Sequence, residues 1–210
     1  MSKLSHLEFL VEEPSAEAAL IHLVPRILGD ETTFKVYQHS GKTNLLKNLA
    51  ARLRGYQRWL PPDWGVVVLI DGDRADCREL KRRLEQAAET SGLLTPATAG
   101  PRRLPQVLNR LAIEELEAWY FGDIGAMCAA YPGVPRTLGE RAPYRNPDSI
   151  RGGTAEALER VLRKAGHHRG GLAKIQAGRD IASHMVPETN RSHSFQVFRK
   201  GLLAFTRRSA

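Results

Sequence analysis

The stretch Val66 to Asp73 (VVVLIDGD) constrains this chain more than any other. Five consecutive apolar residues, three of them β-branched valines, are too short a run for a helix and too evenly apolar for a strand with one wet face. Such a run fits a strand buried on both sides, as in a parallel sheet covered by helices. Asp71 and Asp73 follow at once, and Asp76 lies close behind. Carboxylates crowded at the end of a buried strand repel one another unless something positive sits between them.

The flanking segments alternate in type. Leu7 to Val11 and Thr33 to His39 have strand composition, and a fourth strand is expected within Gln106 to Ile113. Between them, a helix is predicted to open at Pro14–Ser15 with Ser15 as N-cap and with Pro25 kinking or shortening it. Asn44 to Leu60 reads as a basic amphipathic helix capped by Asn44, Ala75 to Ser91 as a charged helix ending at Gly92, and Glu114 to Phe121 as a further helix. This alternation predicts an α/β fold with a mainly parallel central sheet flanked by helices, over residues 1–131. Residues 132–210 are predicted to form a basic extension packed on it, loop-rich at first and then helical at about Thr154 to Ala165, Gly171 to Met185 and Ser194 to Phe205. The apolar stripe of Phe195, Phe198, Leu202 and Phe205 should seal the last helix onto the body or a partner. Trp59, Trp64, Trp119, Tyr120 and Phe121 are expected in the core.

Charge divides the chain in the same place. The net charge is +8, yet residues 136–210 carry 15 Lys/Arg against 6 Asp/Glu, while residues 1–135 are close to neutral. A basic third attracts phosphate backbones, and Arg163, Lys164, Arg169, Lys174 and Arg179 are the candidates to hold one. There is no apolar run long enough for a membrane span and no signal-peptide core, and the two cysteines fit neither a disulfide framework nor a zinc spacing. These features predict a cytoplasmic protein without a membrane partner.

In open parallel sheets the functional site lies beyond the carboxyl ends of the strands. Two predicted strand ends carry acids: Glu12 and Glu13, with Glu17 one helical turn onward, and Asp71 with Asp73. If the strands are parallel neighbours, Glu12 and Asp71 converge. In an extended chain Asp71 and Asp73 face the same side, and Gly72 between them permits close approach. Hard oxygen ligands open to water suit Mg²⁺ or Mn²⁺. The competing reading makes Asp73 or Asp76 an N-cap. Glu114, Glu115 and Glu117 either complement a helix dipole or join the same site. SGKTNLL (Ser40 to Leu46) is not a phosphate-binding loop, because Val36 stands where its first glycine is required. Gly41 is expected in a turn instead.

A Glu after the first strand and D-x-D after a later one resemble the Toprim domain of topoisomerases, primases and overcoming-lysogenization-defect nucleases. HLEFLVEEPSAEA, LKNLAARLRGYQRWLPPDW, VVVLIDGD, IEELEAWYFGD, GGLAKI and NRSHSFQVFRKGL resemble, over nearly the whole chain, a bacterial family known only as domain of unknown function 4276 and grouped with Toprim-like proteins. The resemblance implies a Toprim-like fold, with Glu12, Asp71 and Asp73 as catalytic metal ligands. Glu17, Glu115 and Glu117 are the candidates to complete a second metal position. It also implies Mg²⁺-dependent phosphodiester cleavage, with nucleic acid as partner and with an ATPase partner in defence or mobile-element loci. The Toprim pattern places Gly directly after the Glu, whereas this chain has Glu13-Pro14, a turn able to exchange the roles of Glu12 and Glu13. Lys42, Arg74 and Lys174 are candidates for an assisting cation, and His167 and His168 are read as solvated. Two rival readings stand beside the nuclease: a non-catalytic module binding nucleic acid or an ATPase, and a phosphotransfer or phosphohydrolase enzyme acting on a small molecule.

Overall fold

The computed structural model describes residues 2–73, 76–100 and 103–208. In chain order its elements are β1 (Ser2–Lys3), β2 (His6–Val11), α1 (Pro14–Leu28), β3 (Thr33–Gln38), α2 (Lys42–Trp59), β4 (Trp64–Asp71), α3 (Cys77–Thr90) and β5 (Val107–Ala112). There follow α4 (Glu117–Phe121), α5 (Ile124–Ala130), three single-turn 3₁₀ segments between Leu138 and Ser149, α6 (Thr154–Lys164), α7 (Lys174–Ala182), α8 (His193–Thr206) and β6 (Arg207–Arg208). The fold is α/β. Its central sheet has four strands in the order β3-β2-β4-β5, all parallel, with Phe9 opposite Val67 and Val67 opposite Leu108. A two-stranded antiparallel pair, β1 with β6, joins the two ends of the chain.

The valine run behaves as its composition demands. Val67 and Leu69 enter one apolar cluster; Val66, Val68 and Ile70 enter the other, with Leu45, Leu49, Leu53 and Tyr56 of α2 and Leu80 and Leu84 of α3. β4 is therefore buried on both faces. The first cluster also takes α1 and the C-terminal helices. Phe195, Phe198, Leu202 and Phe205 are all buried in it, so the stripe seals α8 onto the body. The basic C-terminal third thus joins α1 in one of the two helical layers and shares its core with the sheet.

Several local expectations are corrected. Helix α1 is capped by Glu13, not Ser15, with Pro14 in its first turn. Pro at this position gives up an N–H that has no intrahelical acceptor anyway. The helix also passes through Pro25 and ends at Gly29, whose N–H donates to the Pro25 carbonyl. Gly41, not Asn44, caps α2, at a φ of 84° that explains the glycine. Asn44 lies inside the helix and its carbonyl accepts from Asn48. Asp76 caps α3 through the Arg78 and Glu79 amides; the expected start of that helix at Ala75 lies outside the described residues. The helix expected from Glu114 begins at Glu117, because Glu114 adopts a left-handed φ of 60° and bridges to Asp73. The α7 segment is shorter than Gly171 to Met185, and α5 was not foreseen. Trp119, Tyr120 and Phe121 are buried as expected, but Trp59 is 54% exposed.

Candidate active site

The sheet order creates the site. From β2 the chain crosses to β3 on one side, and from β4 it crosses to β5 on the other. The carboxyl ends of β2 and β4 therefore flank the point where the connections part, which is where open α/β sheets form a crevice. Val11 pairs with Leu69, so the residue after β2 and the residue ending β4 meet. The Asp71 amide donates to Glu12 Oε1 at 2.7 Å, and the Gly41 amide donates to the Glu12 carbonyl at 3.1 Å. Glu12 and Asp71 thus converge as the strand ends predicted.

Asp73 does not sit as expected. Gly72 turns the chain off β4, its amide donating to the Ala112 carbonyl, and Asp73 adopts a φ of 48°. Its side chain is half exposed and accepts from Lys42 Nζ at 2.8 Å. The period-two argument fails here because β4 ends at Asp71. Gly72 does provide the close approach: a Cβ there would stand 3.2 Å from the Ala112 carbonyl oxygen.

Two residues brought from elsewhere complete the cluster. Glu117, in the first turn of α4, is 3% exposed. Lys174, at the start of α7, places Nζ 3.8 Å from Glu117 Oε1 and 3.8 Å from Glu13 Oε2. Burial pushes the Glu12 carboxyl up to about 7, opposed by the Asp71 amide and Lys42 and reinforced by Asp73 and Glu13. Burial, then the charges of Glu117, Glu12 and Asp73, hold Asp71 well above the usual carboxylate range. Burial raises Glu117 as well, with Lys174 opposing. Burial alone would depress Lys174; the charges of Glu117, Glu13, Glu115 and Asp71 outweigh it and keep the ammonium protonated. The result is a cluster of carboxylates short of positive charge.

A cation suits this cluster chemically. The donors are hard carboxylate oxygens. Beside them the Tyr120 hydroxyl, fully buried and facing the charges of Glu117 and Asp71, has no hydrogen-bond partner among the described residues. A buried polar atom of this kind calls for a partner such as a water or an ion. Among the described residues, however, no three His, Cys, Asp or Glu side chains are gathered closely enough to hold an ion as they stand. Tyr120 was read from the sequence as core, and only its unpaired hydroxyl marks it as part of the site.

The remaining sequence candidates separate. Glu115 Oε2 accepts from the Thr154 and Ala155 amides and the Thr154 hydroxyl, so it caps α6 from a distance. Glu115→Ala is expected to lower stability by about 1–2 kcal/mol, read by chemical denaturation, with Glu115→Gln recovering part of the loss. Glu17 is partly buried on α1, and its charge is not among those acting most strongly on Glu12, Asp71 or Glu117. Arg163, Lys164, Arg169 and Arg179 are exposed, whereas Lys174 belongs to the carboxylate cluster rather than to a backbone-gripping surface. Arg74 lies outside the described residues. His167 and His168 are not simply solvated: His167 Nε2 contacts the Pro132 carbonyl at 2.8 Å. His168 Nε2 contacts the Tyr131 hydroxyl at 2.9 Å, and that hydroxyl donates to Asp180.

A family model described as Domain of unknown function (DUF4276) matches residues 11–203. The chain belongs to that family. Comparison with curated proteins and with solved structures finds no match. The match begins at the last residue of β2 and ends within α8. It therefore takes in Glu12, Asp71 and Glu117 together with Lys174, the C-terminal residue that answers them. No helix among the described residues is long and apolar enough to cross a membrane.

Proposed function

We propose that this DUF4276 protein is a Toprim-like, divalent-metal-dependent enzyme that cleaves phosphodiesters in nucleic acid. The observation that carries the reading is the cluster of Glu12, Asp71 and Glu117, whose carboxyls all titrate above their ordinary range at the crevice between β2 and β4. Carboxylates kept together despite repulsion and burial mark a functional site more often than a structural one. Four parallel strands, an acid after β2 and D-x-D after β4 support the Toprim likeness.

Glu12 and Asp71 would hold Mg²⁺ or Mn²⁺, with Glu117 and Asp73 adjoining. When bound, the ion supplies Lewis acidity: it activates water and offsets charge developing on phosphate oxygens. The chain's own residues do the rest. Lys174 neutralises Glu117 and Glu13 and presents an ammonium at the edge of the cluster. Lys42 holds Asp73 aside through its carboxylate and also donates to the Gly72 carbonyl. The Asp71 amide orients Glu12 Oε1, leaving the second oxygen for a ligand. Exposed Arg163, Lys164, Arg169 and Arg179 offer phosphate contacts that position a polymer without reading its sequence.

One observation favours a second reading: no three carboxylates are gathered closely enough among the described residues, which suits a non-catalytic module serving nucleic acid or an ATPase. Calorimetric titration with Mg²⁺ and Mn²⁺, beside an Asp71→Ala/Asp73→Ala double variant, tests the first reading. Cleavage of labelled single- and double-stranded DNA and RNA is followed in parallel. Metal uptake lost in the variant, with metal-dependent cleavage by the wild type, is expected. No uptake at millimolar metal leaves the binding module in its place.

A further inference from the structure

Helix α2 departs from the composition of the rest of the near-neutral first two-thirds of the chain. It carries Lys42, Lys47, Arg52, Arg54 and Arg58 and no acidic residue. Its buried side is Leu45, Leu49, Leu53 and Tyr56. Lys47, Arg54 and Arg58 are spaced i, i+7 and i+11, so they share one stripe opposite that side, and all three are exposed. None of the three makes an ion pair among the described residues. The first residue of the helix, Lys42, sits at the carboxylate cluster, bonded to Asp73. The eighteen residues of α2 span roughly 27 Å at 1.5 Å per residue, so the stripe runs along the helix from the end nearer the cluster, although Lys42 itself lies on another side of the helix from Lys47.

Beside the stripe lies a hollow of about 290 Å³, lined by Tyr37, Arg52, Gly55, Tyr56 and Trp59, with Glu8 at its base. The Arg52 guanidinium lies over the Tyr37 ring, 4.7 Å from its centroid, and Lys35 lies over the same ring at 5.0 Å. Trp59 is 54% exposed, braced by Tyr56 and by an edge contact with Trp64. Gly55 has nothing near where a Cβ would stand, which keeps the hollow open. Glu8 is buried and bonded through both oxygens, to His6 and to Tyr56. Cations in a line and a half-exposed tryptophan beside them are the two parts that single-strand binding requires: a backbone track and a stacking platform.

We propose that α2 and the Trp59 hollow form a binding track for single-stranded nucleic acid, with phosphates on Lys47, Arg54 and Arg58 and a base against Trp59. The inference deepens the polymer-cleaving reading and rests on it for the direction of the track, towards Asp73. The surface is separate from the basic C-terminal residues.

The test measures binding of a fluorescein-labelled oligothymidylate of about 20 nucleotides by anisotropy, in EDTA and over a series of salt concentrations. A Lys47→Gln/Arg54→Gln/Arg58→Gln variant is expected to bind at least about ten-fold more weakly. Three lost phosphate contacts should also reduce the slope of log affinity against log salt by about 2. Trp59→Leu is expected to weaken binding about five-fold or more and to remove the tryptophan quenching seen on titration. All four residues are exposed, and circular dichroism checks that the variants fold. Binding by the triple variant within two-fold of wild type at an unchanged salt slope overturns the proposal. So does a preference for duplex of equal length that Trp59→Leu leaves unaltered. Because the assay contains no metal, a protein that binds through α2 but never cleaves refutes the cleavage reading alone. A protein that cleaves but ignores the α2 changes refutes the track alone.

Discussion

Asp71→Asn is expected to raise the melting temperature of the metal-free protein while lowering metal-dependent cleavage by about 10²–10³-fold. The two effects share a cause. Asp71 ends the central strand under the charges of Glu117, Glu12 and Asp73. Removing its charge relieves that repulsion, worth about 1–2 kcal/mol, or about 2–8 °C for a chain of this size. The same charge is what a divalent ion requires, so its loss removes the transition-state stabilisation that metal would supply. The Glu12 contact is spared, because it uses the Asp71 backbone amide rather than the side chain. Differential scanning calorimetry in EDTA and an initial-rate assay in Mg²⁺ check the pair. A lower melting temperature for Asp71→Asn would make the carboxylate a structural group and sink the site.

The second large effect is on pH. Glu12 titrates at about 7 in the folded chain against an ordinary 4.5. Between those values the folded state keeps a proton that the unfolded chain has released. Linkage then requires stability to fall as pH rises through the window, and to level off above about 7. The full shift corresponds to about 3 kcal/mol; partial solvent access reduces this to about 1–2 kcal/mol. Asp71 and Glu117 are displaced in the same direction and steepen the loss. Urea denaturation in EDTA at pH 5, 6, 7 and 8 is expected to show declining stability, with Glu12→Gln flattening the profile. Mg²⁺ should restore stability more at pH 8 than at pH 5, since metal and protons compete for the same oxygens. Stability that climbs from pH 5 to pH 8 in EDTA would contradict the assignment.

The residues that the sequence predicts well are those whose position follows from strand direction. A β-branched run buried on both faces implies a parallel sheet, and parallel strands end on a common edge. Strand direction alone therefore predicts that Glu12 and Asp71 meet, and the glycine at position 41 predicts a turn. Membership of the DUF4276 family was legible in the same way, from motifs spread along nearly the whole chain. The α8 stripe was legible because its apolar spacing is helical and strong.

What the sequence does not reveal depends on contacts between distant segments. Glu115 and Glu117 are two residues apart in one acidic stretch, yet one caps α6 at Thr154 and the other faces Asp71. Their backbone geometry near the left-handed Glu114 sends them to different places. Lys174 reads from the sequence both as a backbone-gripping cation and as one of three candidates to assist at the acids, and only the packing of α7 beside α1, which delivers it to Glu13 and Glu117, chooses between them. Asp73 left the face predicted for it because a tight turn replaced the strand period at Gly72. Trp59 reads from the sequence as core, but it is the last residue of α2, touches the Tyr56 and Trp64 rings and stays 54% exposed. The sequence by itself determined the sheet, its buried central strand and the edge on which the acids gather, because periodicity and chain direction are local properties. Only the tertiary structure decided which charges share that edge and which aromatic stays in water, because burial and electrostatic coupling depend on segments that the chain keeps far apart.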